Sequence, residues 1–317
     1  MEQTPPKNLQ QIAREKVQAQ VGQTTTSMPP SVTSTPSIGQ QTVMATVVDE
    51  KLASLPPNHV MNVIRTLKEK QARQAIWFDF ELPSNGKAGY PKDIKLRELT
   101  TEDEKTLIKE MFASKDNSLM NVIVKCAKFE GMPDFDFNNL TTFDQDFILV
   151  QLSAITFPGE KDIVVTDDAN HKIGLKLNKE DLSLTFVPSD AEYPFKVFLP
   201  TSGITWYFTF MTLKKVNEVD KAMKTMSNDV LVRAFLSIAF TTEKAEINGQ
   251  PITFENFYEI VKLLDSLAPS DLKIILDNYN EKSAAYGYKL VKDYYCTDCG
   301  KGGQMELEPL NFFRLTV

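Results

Sequence analysis

Ile76-Trp77-Phe78-Asp79-Phe80-Glu81-Leu82 runs straight into Pro83-Ser84-Asn85-Gly86. The first seven residues alternate as a strand does, and the next four are turn formers. A second strand is expected at 93–98. Within Leu99-Thr100-Thr101-Glu102-Asp103-Glu104, Thr101 and Glu104 have the spacing of a capping box, so a helix starts there. Leu107, Ile108, Met111 and Phe112 are its expected buried face. A second helix is expected from about Asn117 to Phe129. After a loop at Gly131–Asn139, Thr141 or Thr142 can cap a third helix carrying Phe147, Ile148, Leu152 and Ile155. Strands near 161–166 and 172–177, joined by a turn at Asp167–Asn170, close this part of the chain as a hairpin.

The order then recurs. Phe195–Leu199 reads as a strand, Pro200-Thr201-Ser202-Gly203 as a turn like Pro83–Gly86, and Ile204–Phe210 as a strand. Helices are expected at 214–226 and 228–240. After a loop with Asn248-Gly249, Thr253 caps a helix carrying Phe257, Ile260, Val261 and Leu264, and a further helix runs over 270–279. A strand at 286–295 leads to Cys296-Thr297-Asp298-Cys299-Gly300, with another strand at 304–308. The closing hairpins share a fragment, Asp162–Asp168 beside Asp293–Cys299. The expected fold class is α+β. Its two similar subdomains are a degenerate internal duplication at 76–180 and 193–317, each with helices and small antiparallel hairpins, and the second carries the CxxC.

Residues 1–57 are another material. No aromatic residue precedes Trp77, and the first 50 residues are rich in Gln, Thr, Ser and Pro. Such a segment cannot bury enough apolar surface to offset its ordering entropy. It reads as an extended arm, either flexible or ordered by a partner. Residues 58–75 read as a helical linker, with Asn58 as N-cap and Val60, Val63, Ile64 and Leu67 on one face.

Composition excludes several classes. The 317 residues carry 35 Lys and Arg against 42 Asp and Glu, a net charge of −7, so nucleic acid is not an expected partner. No apolar run reaches the length of a membrane helix. Three cysteines make no disulfide framework, and His59 and His171 are too few for a multi-histidine metal site. Nucleotide-binding, hydrolase and metalloprotease motifs are absent from the sequence, and no spaced carboxylate pair suggests acid–base work. No catalytic residue is expected. Glu102, Asp103 and Glu104 read as complements to a helix dipole, and Asp144 and Asp146 as solvated helix residues.

The CxxC carries the chemistry. Cys296 and Cys299 flank a tight turn followed by Gly300, the shape of a zinc knuckle with backbone N–H groups facing two thiolates. Zinc takes four ligands, so two more are needed. Asp167, Asp168 and His171 of the other hairpin, Cys126, and residues of a second subunit are the candidates. A redox CxxC would want a helix N-terminus, and strands flank this one. The bland alternative is a vestigial knuckle that holds no metal. Cys126 itself, within the apolar run Val122–Phe129, reads as a core residue.

The string Ile94-Lys95-Leu96-Arg97-Glu98-Leu99-Thr100-Thr101-Glu102-Asp103-Glu104-Lys105, after its LPS turn, resembles the start of the T-even-type bacteriophage baseplate hub family. The Phe143-Asp144-Gln145-Asp146-Phe147-Ile148-Leu149 helix and the closing hairpin with its CxxC resemble it too, and the likeness covers most of 76–317. The resemblance implies a component of a contractile tail, either a hub protein or a factor assembling the hub around the tape-measure protein. It implies other tail proteins as partners (baseplate hub, tape measure, wedge), an oligomer or hetero-complex, and a place in the virion tail baseplate or in the host cytoplasm during assembly. It implies no catalytic residue. The sequence departs from the pattern at Val165 and Asp168, where cysteines would be needed to pair with Cys296 and Cys299. The alternative reading is a zinc-ribbon module binding nucleic acid or protein. Lys289, Lys292, Tyr294, Tyr295 and Lys301 would favour it, and Asp293, Asp298, Glu306 and Glu308 oppose it.

Overall fold

The computed structural model describes residues 61–63, 65, 66, 75–112, 118–167, 169–225 and 230–313. The expected arm, its boundary at residue 57, and the Asn58 cap lie outside them. Of the expected linker helix, residues 61–63, 65 and 66 are helical and exposed. From residue 75 onward the described residues form one compact unit of α+β class.

The first half follows a simple path. Strands β1 (Trp77–Glu81) and β2 (Asp93–Arg97) pair antiparallel, with Phe78 opposite Leu96 and Phe80 opposite Ile94. Helices α1 (Thr101–Phe112) and α2 (Ser118–Cys126) follow. The chain then passes without a linker into β3 (Ala127–Lys128), which returns antiparallel onto β2. Helix α3 (Thr142–Thr156) comes next, capped by Thr141, whose side chain accepts from the Asp144 N–H. Strands β4 (Lys161–Thr166) and β5 (Lys172–Leu177) form the closing hairpin.

A short β6 (Leu184–Thr185) leads to the second half. Strands β7 (Phe195–Leu199) and β8 (Ile204–Phe208) pair with Val197 opposite Trp206. Helices α4 (Leu213–Met223) and α5 (Val230–Thr241) follow, and α5 again passes directly into a strand, β9 (Thr242–Ile247). That strand returns antiparallel onto β8, and β10 (Gln250–Ile252) completes a four-stranded sheet of order β10-β9-β8-β7. Helices α6 (Phe257–Asp265) and α7 (Pro269–Ala284) precede β11 (Gly287–Tyr288), which pairs back to β6. Strands β12 (Val291–Tyr295) and β13 (Gly302–Glu306) form the CxxC hairpin.

Both halves therefore share the order hairpin, helix pair, returning strand, helix, hairpin, with β10, α6 and β11 added in the second. They also share a clamp. The buried Asp144, third residue of α3, accepts the Ser84 N–H of the first LPS-type turn at 2.9 Å. The equally buried Asp271, third residue of α7, accepts the Thr201 and Ser202 N–H groups of the second turn at 3.1 and 2.7 Å. By its clamp α7, not the helix after Thr253, stands where α3 stands in the first half.

Helix α3 joins the cores. Phe147 and Ile148 lie in the core built by β1–β3, α1 and α2, whereas Phe143 lies in the core built by β7–β9 and the later helices. Val150 packs with Leu177, Leu182, Leu307 and Phe312. Backbone bonds from Thr142 N–H to Met211 O and from Leu213 N–H to Leu140 O tie the halves at the head of α3. A helix buried on so much of its circumference has no wide polar face.

Several local expectations are corrected. The box that opens α1 is Thr100 with Asp103: Thr100 N–H donates to Asp103 Oδ2 at 2.9 Å, and Asp103 N–H donates to Thr100 Oγ1 at 3.3 Å. Asp103 also meets Arg97 at 2.9 Å and is buried, so it serves more than the helix dipole. The second helix stops at Cys126 because the chain is drawn onto β2. Asn256, not Thr253, caps α6, accepting from the Tyr258 N–H. The loop with Asn248 and Gly249 is the turn between β9 and β10. The expected strand 286–295 is split between β11 and β12, and the last strand ends at Glu306. At the end of the described chain, a 3-10 turn at Pro309–Phe312 brings Phe312 and Phe313 into the interior. Asp144 is fully buried, taking the Ser84 N–H and the Tyr90 hydroxyl at 2.5 Å. Asp146 is half-buried, and desolvation pushes its carboxyl up to about 7.

Candidate metal centre

The two closing hairpins pack face to face. Ile173, Leu175 and Cys296 form a small buried cluster, with Ile163, Val165, Tyr294, Cys299 and Met305 against it. This packing brings the two turns together.

The turns share a frame. In the first, Asp167 N–H donates to His171 O, Asn170 N–H donates to Asp167 O, and Asn170 is left-handed at φ 64°. In the second, Cys296 N–H donates to Lys301 O, Gly300 N–H donates to Cys296 O, and Gly300 is left-handed at φ 68°. Asp167 and Cys296 thus hold equivalent places at the ends of β4 and β12, and Asn170 matches Gly300. The second turn is one residue longer, and the added length admits Cys299. The fragment match Asp162–Asp168 with Asp293–Cys299 is therefore out of register by two, because the ends of the strands, not the shared Thr-Asp pair, set the equivalence.

Asp167, His171, Cys296 and Cys299 each offer one ligand atom, and these atoms all lie within 4.8 Å of one another. Asp167 Oδ1 accepts from the Ala169 and His171 N–H groups at 2.9 and 2.8 Å. Its Oδ2 is left facing His171 Nδ1 at 3.1 Å and the Cys299 sulfur at 3.8 Å. The Cys299 and Asp298 N–H groups face the Cys296 sulfur, and the Lys301 N–H faces the Cys299 sulfur. Cys296 is 2% exposed, whereas the His171 side chain is 33% exposed.

The electrostatics follow from these contacts. The His171 N–H holds the Asp167 carboxyl down at about 2, and Asp167, followed by Cys299, raises the His171 imidazole. The Lys301 N–H, with the Cys296 sulfur, lowers the Cys299 thiol. The Cys299 N–H lowers the Cys296 thiol, but burial and the neighbouring Cys299 and Asp167 override it and leave it raised.

Of the sequence candidates, Asp167 and His171 join the CxxC. Asp168 lies outside the described residues. Cys126 is elsewhere, fully buried with its sulfur 3.6 Å from Asp103 Oδ2, and burial pushes its thiol up to about 12. The turn frame was the signal that could have separated the candidates, because it puts Asp167 where Cys296 stands. The suggested basic face is weakened: Lys292 is paired with Asp181 at 2.7 Å. Among the described residues no helix is long and apolar enough to cross a membrane.

A protein-family model described as T4 bacteriophage base plate protein matches residues 76–314. No curated protein and no solved structure matches the chain. The matched span opens on the residue before β1 and closes just beyond the last 3-10 turn, so it takes in both halves and both hairpins. The role that goes with it is structural, in the baseplate of a phage tail, among other tail proteins. The chain belongs to the T4 bacteriophage base plate protein family.

Proposed function

We propose that the chain is a hub component, or a hub-assembly factor, of a contractile tail, acting through protein–protein contacts and not through catalysis. The single observation that carries this reading is the family match over 76–314. The local chemistry supports it. The buried carboxylates have structural tasks: Asp144 and Asp271 clamp turns, and Asp103 caps α1 while pairing with Arg97. Buried Lys161 and Ser153 are joined at 2.5 Å, but the Ser153 hydroxyl is spent on the Phe312 carbonyl.

On this reading the two-core body is a rigid spacer. The arm before residue 50 holds neighbours such as hub, wedge or tape-measure proteins in a hetero-complex, whereas the apolar end is committed to the body at Phe312 and Phe313, which are buried. The arm has no aromatic residue to lend to either core, so deleting residues 1–50 is expected to leave a folded body that assembles poorly. Normal assembly by that truncation would remove the arm from the proposal. Quantitative mass spectrometry of purified particles and infected-cell lysate tests the rest. A fixed small copy number in particles is expected of a hub component. Abundance in lysate without presence in particles is expected of an assembly factor working in the host cytoplasm. Absence from every tail intermediate would overturn both.

A further inference from the structure

We propose that Asp167, His171, Cys296 and Cys299 together bind one zinc ion, two ligands from each hairpin turn, and that the ion staples the hairpins to each other.

Four features support this assignment. First, the ligand atoms already lie within 4.8 Å of one another. A tetrahedral zinc with bonds of about 2.0–2.3 Å needs ligand separations of about 3.3–3.8 Å, so closing requires shifts of about 1 Å. Secondly, the donor set of two thiols, one imidazole and one carboxylate suits a borderline-soft tetrahedral cation better than magnesium or calcium, which prefer oxygen. Thirdly, the supporting contacts are in place. The Ala169 and His171 N–H groups fix one oxygen of Asp167 and leave the other facing the imidazole and a sulfur. Backbone N–H groups face both sulfurs. Such outer contacts orient metal ligands.

Fourthly, the hairpins need a staple. Each is a separate two-stranded sheet, and a lone hairpin is marginal in water. At their base Leu177 and Leu307 pack on Val150, but near the turns the buried residues that the hairpins share, among the described residues, are Ile173, Leu175 and Cys296. Small modules with so little core are commonly held by metal. The first half thus supplies a carboxylate and an imidazole where a conventional ribbon would have its other thiolates. The internal repeat would complete its site across the two hairpins, within one chain. This inference stands apart from the tail assignment, since metal content is read on the purified chain alone.

The test is metal analysis of the full-length chain, expressed in zinc-supplemented medium and dialysed, followed by replacement with Co(II). One zinc per chain is expected, and the cobalt form should have the visible spectrum of a tetrahedral site with two thiolates. Cys296→Ser and Cys299→Ser should lose the ion. Asp167→Ala and His171→Ala should each weaken zinc by more than the about 10–100-fold typical of losing an outer contact. Some of these variants could fail to fold, so Asp167→Cys and His171→Cys provide the complementary arm. Each should keep one zinc and strengthen the thiolate-to-cobalt bands, because a third sulfur joins the shell. A metal-free chain would overturn the proposal. So would zinc binding and a cobalt spectrum indifferent to every change at Asp167 and His171, which would move the remaining ligands to a partner.

Discussion

The two LPS-type turns are clamped by the same device in different surroundings. At the first, Asp144, Ser84 and Tyr90 are all sealed from water, and the carboxylate takes one N–H and one hydroxyl. At the second, Asp271 is buried but Thr201 is exposed and Ser202 half-buried, and the carboxylate takes two N–H groups. The consequences for charge are opposite. Burial raises the Asp144 carboxyl. At Asp271 burial also raises it, but the Thr201 and Ser202 contacts outweigh that and lower it. A repeated motif therefore keeps its geometry while its energetics are set by what lies around it. The parallel extends to the hydroxyls: Ser84 Oγ and Ser202 Oγ, each in its turn, are both buried beside the clamping carboxylate.

The largest expected effect comes from breaking the sealed clamp. Asp144→Ala leaves the Ser84 N–H without an acceptor in a place water cannot reach, beside a buried Tyr90 hydroxyl, and should cost about 3–4 kcal/mol. Asp271→Ala frees two N–H groups at a turn that solvent already touches, so it should cost clearly less. Urea unfolding of the two variants measures the difference. Equal losses would mean that the second clamp is as inaccessible as the first.

This contrast also explains how much the sequence could reveal. The hairpin strands, the Pro83–Gly86 and Pro200–Gly203 turns, the Thr141 cap and the β4–β5 boundaries were legible because alternation, turn residues and caps are local signals. The clamps were not. Asp144 reads as solvated because helical periodicity cannot foresee that α3 is enclosed by both cores. Strand β9 was missed because Thr242–Ile247 has few apolar residues and follows α5 without a break; its pairing with β8 makes it a strand. All four residues of the candidate site were among those the sequence offered, but nothing in it chose Asp167 and His171 over Cys126. A CxxC is a motif, whereas Asp167 and His171 become partners only when two distant hairpins meet.

A second comparison is two residues further along each clamp helix. On α3 the position is Asp146, half-buried, with its carboxyl pushed up to about 7 by desolvation. On α7 it is Lys273, which pairs on the exposed face with Asp277 at 2.6 Å. For Asp146 the folded pKa exceeds the unfolded one. Its contribution is therefore most favourable below the unfolded carboxyl range, about pH 4, and is lost as pH rises through about 7. Asp146→Asn removes the charge, so it should stabilise the chain by about 1–2 kcal/mol at pH 8 and by nearly nothing at pH 4; the full shift would imply about 4 kcal/mol, reduced because the side chain is only half-buried. Thermal melts across that range decide it. A gain that does not grow with pH would place the Asp146 carboxyl in ordinary water.

The smallest effects lie in the hairpin turns, where Asn170 and Gly300 occupy the same left-handed position. Asparagine tolerates that conformation and glycine adopts it without penalty, whereas alanine resists it. A side-chain carbon at Gly300 would meet only the Tyr295 hydroxyl, at an ordinary 3.8 Å, so the penalty is conformational and not steric. Gly300→Ala should therefore cost about 1 kcal/mol, Gly300→Asn less than that, and Asn170→Gly close to nothing. Hydrogen exchange confined to 161–177 and 291–306 resolves changes of this size, because the hairpins can open without unfolding either core. If Gly300→Asn costs more than Gly300→Ala, the second turn is not a lengthened copy of the first. Its glycine would then answer to the sulfurs beside it, since the residue at 300 sets where the Lys301 N–H points, and that group faces Cys299.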